Sequence, residues 1–211
     1  MIEEYLLLAV LLVGWCSLHS ATIAGPIAAR VQVRLGGAAR CYRLLYNAVA
    51  VATFIPVVAY AWAVRTAPFF AWEGGLRVIQ FAFLATAFPF LVLGFRRYDL
   101  GQMVGLSQLR GDALGKGIAA GGRLDTGGIL GVVRHPMYFA TALLIWARPL
   151  DVSAIIVNTI LTLYLVVGTL LEERRLVGEF GDAYRAYQKD VPMLVPYKWA
   201  GQLLRARRGA R

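Results

Sequence analysis

The chain has 211 residues, 59% of them hydrophobic, with a mean hydropathy of +0.61 and a formal charge of +10. This composition excludes an ordinary water-soluble domain and points to an all-α polytopic membrane protein. Two cysteines, Cys16 and Cys41, are too few for a disulfide framework or a cysteine-based zinc site, and no metal is expected.

Crossing the hydrocarbon core as a helix takes about 20 mostly apolar residues. Four windows meet that length in chain order: Tyr5 to Ala24, Leu44 to Val64, Leu76 to Phe95 and Val152 to Leu171. The opening MIEEY carries acids where a secretory signal has basic residues, so the first window is expected to be a retained span. Pro56 and Pro89 fall inside the second and third windows, where membrane helices accommodate proline as kinks. A fifth window, Pro136 to Leu150, has only 15 residues, about 22 Å of helix. It must tilt, lie recessed or draw on the GGILGVV before it. About five transmembrane helices are therefore predicted.

Residues 1–95 are expected to form a three-helix N-terminal part. Residues 96–134 form a cytoplasmic glycine-rich loop, the kind of long connection that serves as a lid or stays unstructured. Residues 135–196 hold a C-terminal helical hairpin, turned at Pro149, and a cytoplasmic cofactor-binding segment. That segment reads as two short helices parted at Gly181, the second capped by Asp182 and ended by Pro192. Residues 197–211 are a basic tail expected near anionic lipid.

Arg65, Arg77 and Arg148 fall in the connections on one side, and every other Lys and Arg falls in the loops opposite or after Leu171. Cytoplasmic loops concentrate Lys and Arg, so the N-terminus is expected outside and the C-terminus in the cytoplasm, across a bacterial inner membrane. Topology absorbs the positive charge, which leaves no basic surface for nucleic acid. The bilayer is the expected partner.

The chemistry concentrates in GVVRHPMYFA, residues 131–140. A residue before proline is pushed out of the helical region, while proline suits a first helical position. His135 is therefore predicted to cap the helix with its imidazole outside it. The helix start presents the positive end of a dipole, and Arg134 adds a guanidinium fork suited to a carboxylate. The next span returns antiparallel and ends at Glu172 and Glu173. An anion receptor and a cation receptor would then share one face and hold a zwitterion, such as the amino-acid end of S-adenosylmethionine. Tyr138 and the apolar LGVV would wall its nucleoside. The alternative is that Arg134, Arg174 and Arg175 pair with the two glutamates as plain interface anchors.

VVRHPMYFATALLIWARP followed by EERRLVGEFGDAYRAYQKDVPMLVP resembles the C-terminal signature of the integral-membrane methyltransferases. These include isoprenylcysteine carboxyl methyltransferases, phospholipid N-methyltransferases and bacterial methanethiol S-methyltransferases. The matching positions are Arg134, His135, Pro136 and Tyr138, then Trp146 and Pro149. Glu172, Glu173, Leu176, Phe180, Gly181, Tyr184, Tyr187, Val191 and Pro192 complete them. The resemblance runs from Leu124 to Pro196, about a third of the chain. Upstream, DLGQMVGLSQL resembles a D-L-x-G-L-x-Q segment of the methanethiol enzymes, with extra residues between Leu100 and Gly105 and with Gln108 at its end. LHSATIAGP resembles a segment of the same enzymes and of a denitrification-associated membrane family.

The resemblance implies S-adenosylmethionine as cofactor, held by Arg134, His135, Pro136, Tyr138, Glu172, Glu173, Gln108 and Tyr184, with His135 and Glu173 as catalytic residues. Isoprenylcysteine enzymes are implied to hold a substrate carboxylate with an arginine before the glutamate pair. Here those turns read LYLVVGTLLEE, which favours a small or membrane-partitioned thiol over a prenylcysteine or a phospholipid amine. Trp146 and His19 are the expected substrate contacts. For His19 a structural hydrogen bond and a haem-ligand role stay open, the latter through the denitrification-associated family, as a haem-binding isomerase or redox accessory protein.

Overall fold

The computed structural model describes residues 1–23, 26–111, 124–199 and 201. Residues 112–123 of the glycine-rich loop and the end of the basic tail (202–211) lie outside the described residues, and the lid and lipid-tail expectations fall there. Helix α1 spans Ile2–Ile23 and α2 Pro26–Leu35; a 3-10 turn at Gly36–Cys41 leads into α3, Tyr42–Ala63. Then come α4 at Leu76–Arg97, the short α5 at Leu100–Val104 and α6 at Leu106–Arg110. The chain ends with α7 at Pro136–Trp146, α8 at Val152–Phe180 and α9 at Asp182–Asp190.

The protein is an all-α polytopic membrane protein. Four helical stretches, Ile2–Ile23, Pro26–Ala63, Leu76–Arg97 and Val152–Phe180, are long and apolar enough to cross a membrane. Their outward faces carry Val10, Val13, Phe81, Phe88, Leu163 and Val167, all exposed. Hydrocarbon makes such exposure cheap, whereas water would penalise each side chain by about 1.5–3 kcal/mol. Pro56 and Pro89 lie inside α3 and α4 as expected. The fifth apolar helix, α7, has 11 residues, about 16 Å. The GGILGVV segment does not extend it, because Gly128–Gly131 forms a 3-10 turn and His135 sits at φ −122°, ψ 69° before Pro136.

Three boundaries differ from the sequence reading. The connection after the first span contains an amphipathic helix, α2, bearing Arg30 and Arg34. The first of the two predicted short cytoplasmic helices is the continuation of α8, which runs 29 residues without a break. Gly181, not Asp182, takes the N-cap of α9; its φ of +56° suits glycine, and Asp182 is instead the first helical residue, 2.8 Å from Arg185.

The fold divides into two compact units. The first comprises Met1–Gly74, residues 99–111 and Arg148–Tyr164. Within it, Trp15 Nε1 donates to the Ala50 carbonyl at 3.2 Å, tying α1 to α3. The α5–α6 corner docks on the start of α3: Asn47 Nδ2 donates to the Met103 and Val104 carbonyls at 2.9 and 3.0 Å, and Arg43 Nε to Met103 at 3.2 Å. Gly105 makes that approach possible. It has φ +105°, and a Cβ there would lie 2.5 Å from the Leu44 amide nitrogen. Gly105→Ala is therefore expected to destabilise the protein by about 1–3 kcal/mol, read as a lowered melting temperature in detergent. At the other end of this unit, the buried Asp151 pairs with Arg65 at 3.2 Å and accepts from the Ala154 amide at 2.6 Å, capping α8. Arg148 donates to Asn158 Oδ1 at 2.6 Å. Burial first, then the nearby Arg65, lowers the Arg148 pKa.

The second unit comprises Gly75–Tyr98 with residues 124–147 and 165–199. Small residues let its helices approach: Ala87 and Ala140 pack with Phe90 and Val133, and a Cβ on Gly94 would meet Met137 Cγ at 2.7 Å. A second apolar cluster of Leu130, Leu176, Tyr184, Tyr187 and Val191 seats α9 against the end of α8.

Candidate active site

Glu173 is the hub of the second unit. It lies in the last turns of α8 and is 6% exposed. Arg134, also 6% exposed, grips it with both arms of its fork, Nε to Oε1 at 2.9 Å and Nη2 to Oε2 at 2.7 Å. His135 Nε2 lies 2.8 Å from Oε1, Tyr184 donates its hydroxyl to Oε1 at 2.7 Å, and Gln188 Nε2 donates to Oε2 at 2.6 Å. A carboxylate only accepts, so His135 carries a proton on Nε2.

Local sequence explains why these groups converge. Pro136 opens α7 and leaves His135 as its N-cap with no side-chain cap bond, so the imidazole turns outward to Glu173. The segment after α9 pairs with the same strand of backbone: the Arg134 and His135 amides donate to the Pro192 and Met193 carbonyls at 3.0 and 3.1 Å. Arg134 Nη1 donates to the Gln188 carbonyl at 3.1 Å and to that of Val191. On α9, Tyr184 and Gln188 stand one turn apart and reach the same carboxylate. Burial, then the hydrogen bond to Glu173, raises the Tyr184 pKa well above the ordinary phenol value, so its hydroxyl keeps the proton it donates. Tyr187 donates to the Leu130 carbonyl at 2.6 Å, and Arg97 pairs with Asp125 at 3.1 Å, fastening the turn that precedes Arg134.

The sequence left two arrangements open, separate receptors or direct pairing, and Arg134 and Glu173 pair directly. Arg174 and Arg175 are exposed and take no part. Glu172 is placed differently. Its side chain is 26% exposed, and the nearest basic group is His135 Nδ1 at 3.6 Å, beyond hydrogen-bond distance. Tyr138 stacks on His135 with ring centroids 5.7 Å apart and planes 7° from parallel. Burial first, then the Glu172 charge, raises the pKa of Tyr98, immediately after α4.

Residues 7–200 match the family described as NnrU protein. The chain belongs to that family. This NnrU family member is also similar to curated methanethiol S-methyltransferases. It is 41% identical to that of Pseudomonas deceptionensis over 86 residues, 40% of this chain and 33% of the relative. Methanethiol S-methyltransferase 1 of Bradyrhizobium diazoefficiens is 31% identical over 141 residues, 65% of this chain and 49% of the relative. That of a Pseudomonas species is 30% identical over 149 residues, 67% and 52%. The chain thus spans about half, or less, of the length of these relatives. No solved structure matches it.

The remaining sequence candidates have other surroundings within their own units. Trp146 ends α7, ten residues and about 15 Å of helix beyond Pro136. His19 belongs to the first unit, stacked on Trp15 at 4.9 Å with the Tyr46 hydroxyl 2.8 Å from both ring nitrogens. A haem-ligand role for His19 requires that contact to open. Gln108 also belongs to the first unit, where Nε2 donates to the Gln102 carbonyl at 3.1 Å. Among the described residues, no group of three or more His, Cys, Asp or Glu could hold a metal. Sequence reasoning missed Gln188, Tyr98 and the Arg97–Asp125 pair. Only Gln188 carried a usable signal, its i+4 spacing from Tyr184 on a short amphipathic helix.

Proposed function

We propose that this chain is an S-adenosylmethionine-dependent integral-membrane methyltransferase acting on the sulfur of a small or membrane-partitioned thiol. The observation that carries the reading is the division of labour between the two glutamates. Glu173 is satisfied by four protein donors, while among the described residues no hydrogen bond is made to the Glu172 carboxylate beside the start of α7. Names of the curated relatives add thiol methylation as the chemistry.

These residues fit the zwitterionic end of the cofactor. Glu172 offers a partly exposed carboxylate to an ammonium group, and the positive end of α7, begun by Pro136, favours a carboxylate. Tyr138 presents a ring face to the nucleoside. Arg134, Glu173 and Tyr184 act as positioning residues, since their polar groups hold one another and the His135 ring. When bound, S-adenosylmethionine supplies an electrophilic methyl group. A thiol becomes a nucleophile only by losing its proton. With Nε2 committed to Glu173, His135 Nδ1 is the acceptor for that proton, leaving a thiolate whose sulfur would take the methyl as the S–CH3 bond of the sulfonium breaks and S-adenosylhomocysteine leaves. In-line displacement then depends on orientation, which a hub with four donors enforces. Trp146 and His19 are proposed as contacts on the acceptor's route through the spans, and an inner-membrane location with the N-terminus outside follows from the charge distribution.

The test is calorimetry of the purified protein with S-adenosylhomocysteine, followed by labelled methyl transfer to thiols, prenylcysteines and phospholipid amines. Binding followed by label in a thioether is expected. Absence of binding in both detergent and lipid overturns the reading, and label in prenylcysteine or phospholipid redirects the acceptor.

A further inference from the structure

In the first unit, α1 ends at Ile23 and α3 begins at Tyr42, and a cavity of about 210 Å³ opens at these ends. Gln32, Arg40, Arg43, Tyr42, Tyr46 and Gln108 line it, and no acidic residue does among the described residues. It is smaller than the roughly 300–1,000 Å³ of pockets that engulf a drug-sized molecule.

Three features bear on what this cavity can hold. Arg40 makes no hydrogen bond or ion pair among the described residues, and Arg43 spends only Nε, on the Met103 carbonyl at 3.2 Å, leaving its two terminal nitrogens. Two guanidinium groups without a carboxylate between them call for an anion, and their fork matches phosphate oxygens. Gln108 supplies the second, independent feature. Its Nε2 is fixed on the Gln102 carbonyl, so Oε1 is the free end, and this buried oxygen has no donor among the described residues. A buried acceptor without a partner costs about 1–3 kcal/mol, so it asks for a hydroxyl or amine donor. Third, the cavity opens where α1 ends and α3 begins, beside the amphipathic helix α2, and amphipathic helices at the ends of spans meet lipid headgroups.

We propose that this cavity binds the headgroup of a hydroxylated anionic phospholipid such as phosphatidylglycerol. Its phosphate lies between Arg40 and Arg43, and a headgroup hydroxyl donates to Gln108 Oε1. Gln108 thereby serves a lipid site in place of the cofactor role that its motif suggested.

The experiment is native mass spectrometry of the full chain in detergent, titrated with phosphatidylglycerol, phosphatidylcholine or glycerol 3-phosphate. Phosphatidylglycerol is expected to stay bound and phosphatidylcholine to be lost. Arg40→Gln and Gln108→Leu should each weaken retention roughly tenfold, the loss of one charge-assisted or buried hydrogen bond. Arg30→Gln and Arg34→Gln on α2 are charge-matched controls that should leave it unchanged. Equal losses in those controls would mean surface attraction and overturn the site. Equal retention of glycerol 3-phosphate would make the occupant a soluble phosphate, and displacement of lipid by S-adenosylhomocysteine would return the cavity to the cofactor. Should Gln108→Leu fail to fold, the exposed Arg40 variant carries the test alone.

Discussion

Glu173→Gln is expected to lower the melting temperature of the purified protein and to abolish S-adenosylhomocysteine binding in the same variant. Glutamine nearly preserves the shape of Glu173 but removes its charge, and it replaces one accepting oxygen with an amide donor. Arg134, 6% exposed, would keep a full positive charge with no counter-charge in contact, and Gln188 or Tyr184 would face a donor in place of an acceptor. Breaking a buried pair by removing one partner costs about 3–5 kcal/mol. The backbone of Arg134 and His135 is held by Pro192 and Met193, so loosening the hub also frees the segment after α9. The double variant Arg134→Met, Glu173→Gln separates the two effects. Removing the orphaned charge should recover part of the melting temperature, because an apolar side chain fits where an unpaired cation does not, while cofactor binding stays lost. If Glu173→Gln melts like the wild type and only binding fails, Glu173 touches the ligand and is not a positioning residue.

Glu172→Gln should show the opposite pattern. Its carboxylate receives no protein hydrogen bond among the described residues, so losing the charge should move stability by no more than about 0.5 kcal/mol. Affinity for S-adenosylhomocysteine should nevertheless fall by roughly ten- to a hundredfold, the worth of a charge-assisted hydrogen bond to an ammonium group. Calorimetry with the wild type, Glu172→Gln and Glu173→Gln at one pH reads both glutamates together. An unchanged affinity in Glu172→Gln would remove this carboxylate from the receptor.

Much of the scaffold was legible from residues alone. Apolar runs of bilayer length marked α1, α3, α4 and α8, and Pro136 marked the start of α7 with His135 outside it, because proline restricts its predecessor wherever it stands. The charged residues of the site were legible as types and positions, yet their partnership was not. Sequence spacing shows that Arg134 and Glu173 end on one face of a hairpin; only packed geometry decides whether they meet each other or a ligand. Gln188 showed only its spacing from Tyr184, because its role depends on how α9 folds over the end of α8, a contact made by Leu176 and Tyr184. The cap of α9 was misassigned because an aspartate after a glycine is a good capping residue by chemistry, while the backbone needed the left-handed turn that Gly181 supplies.

Helix α8 acts as a ruler. Asp151 anchors its first turn, and 29 residues of unbroken helix measure about 44 Å, well beyond the roughly 30 Å of hydrocarbon. Glu172 and Glu173 lie in its last three turns, among the charged residues that follow its apolar stretch. A thicker membrane drags that charge toward acyl chains unless α8 straightens, and a thinner one lifts it into the headgroups or makes the helix lean. Chain length of the surrounding lipid thereby bears on the setting of these carboxylates, through the length of one helix.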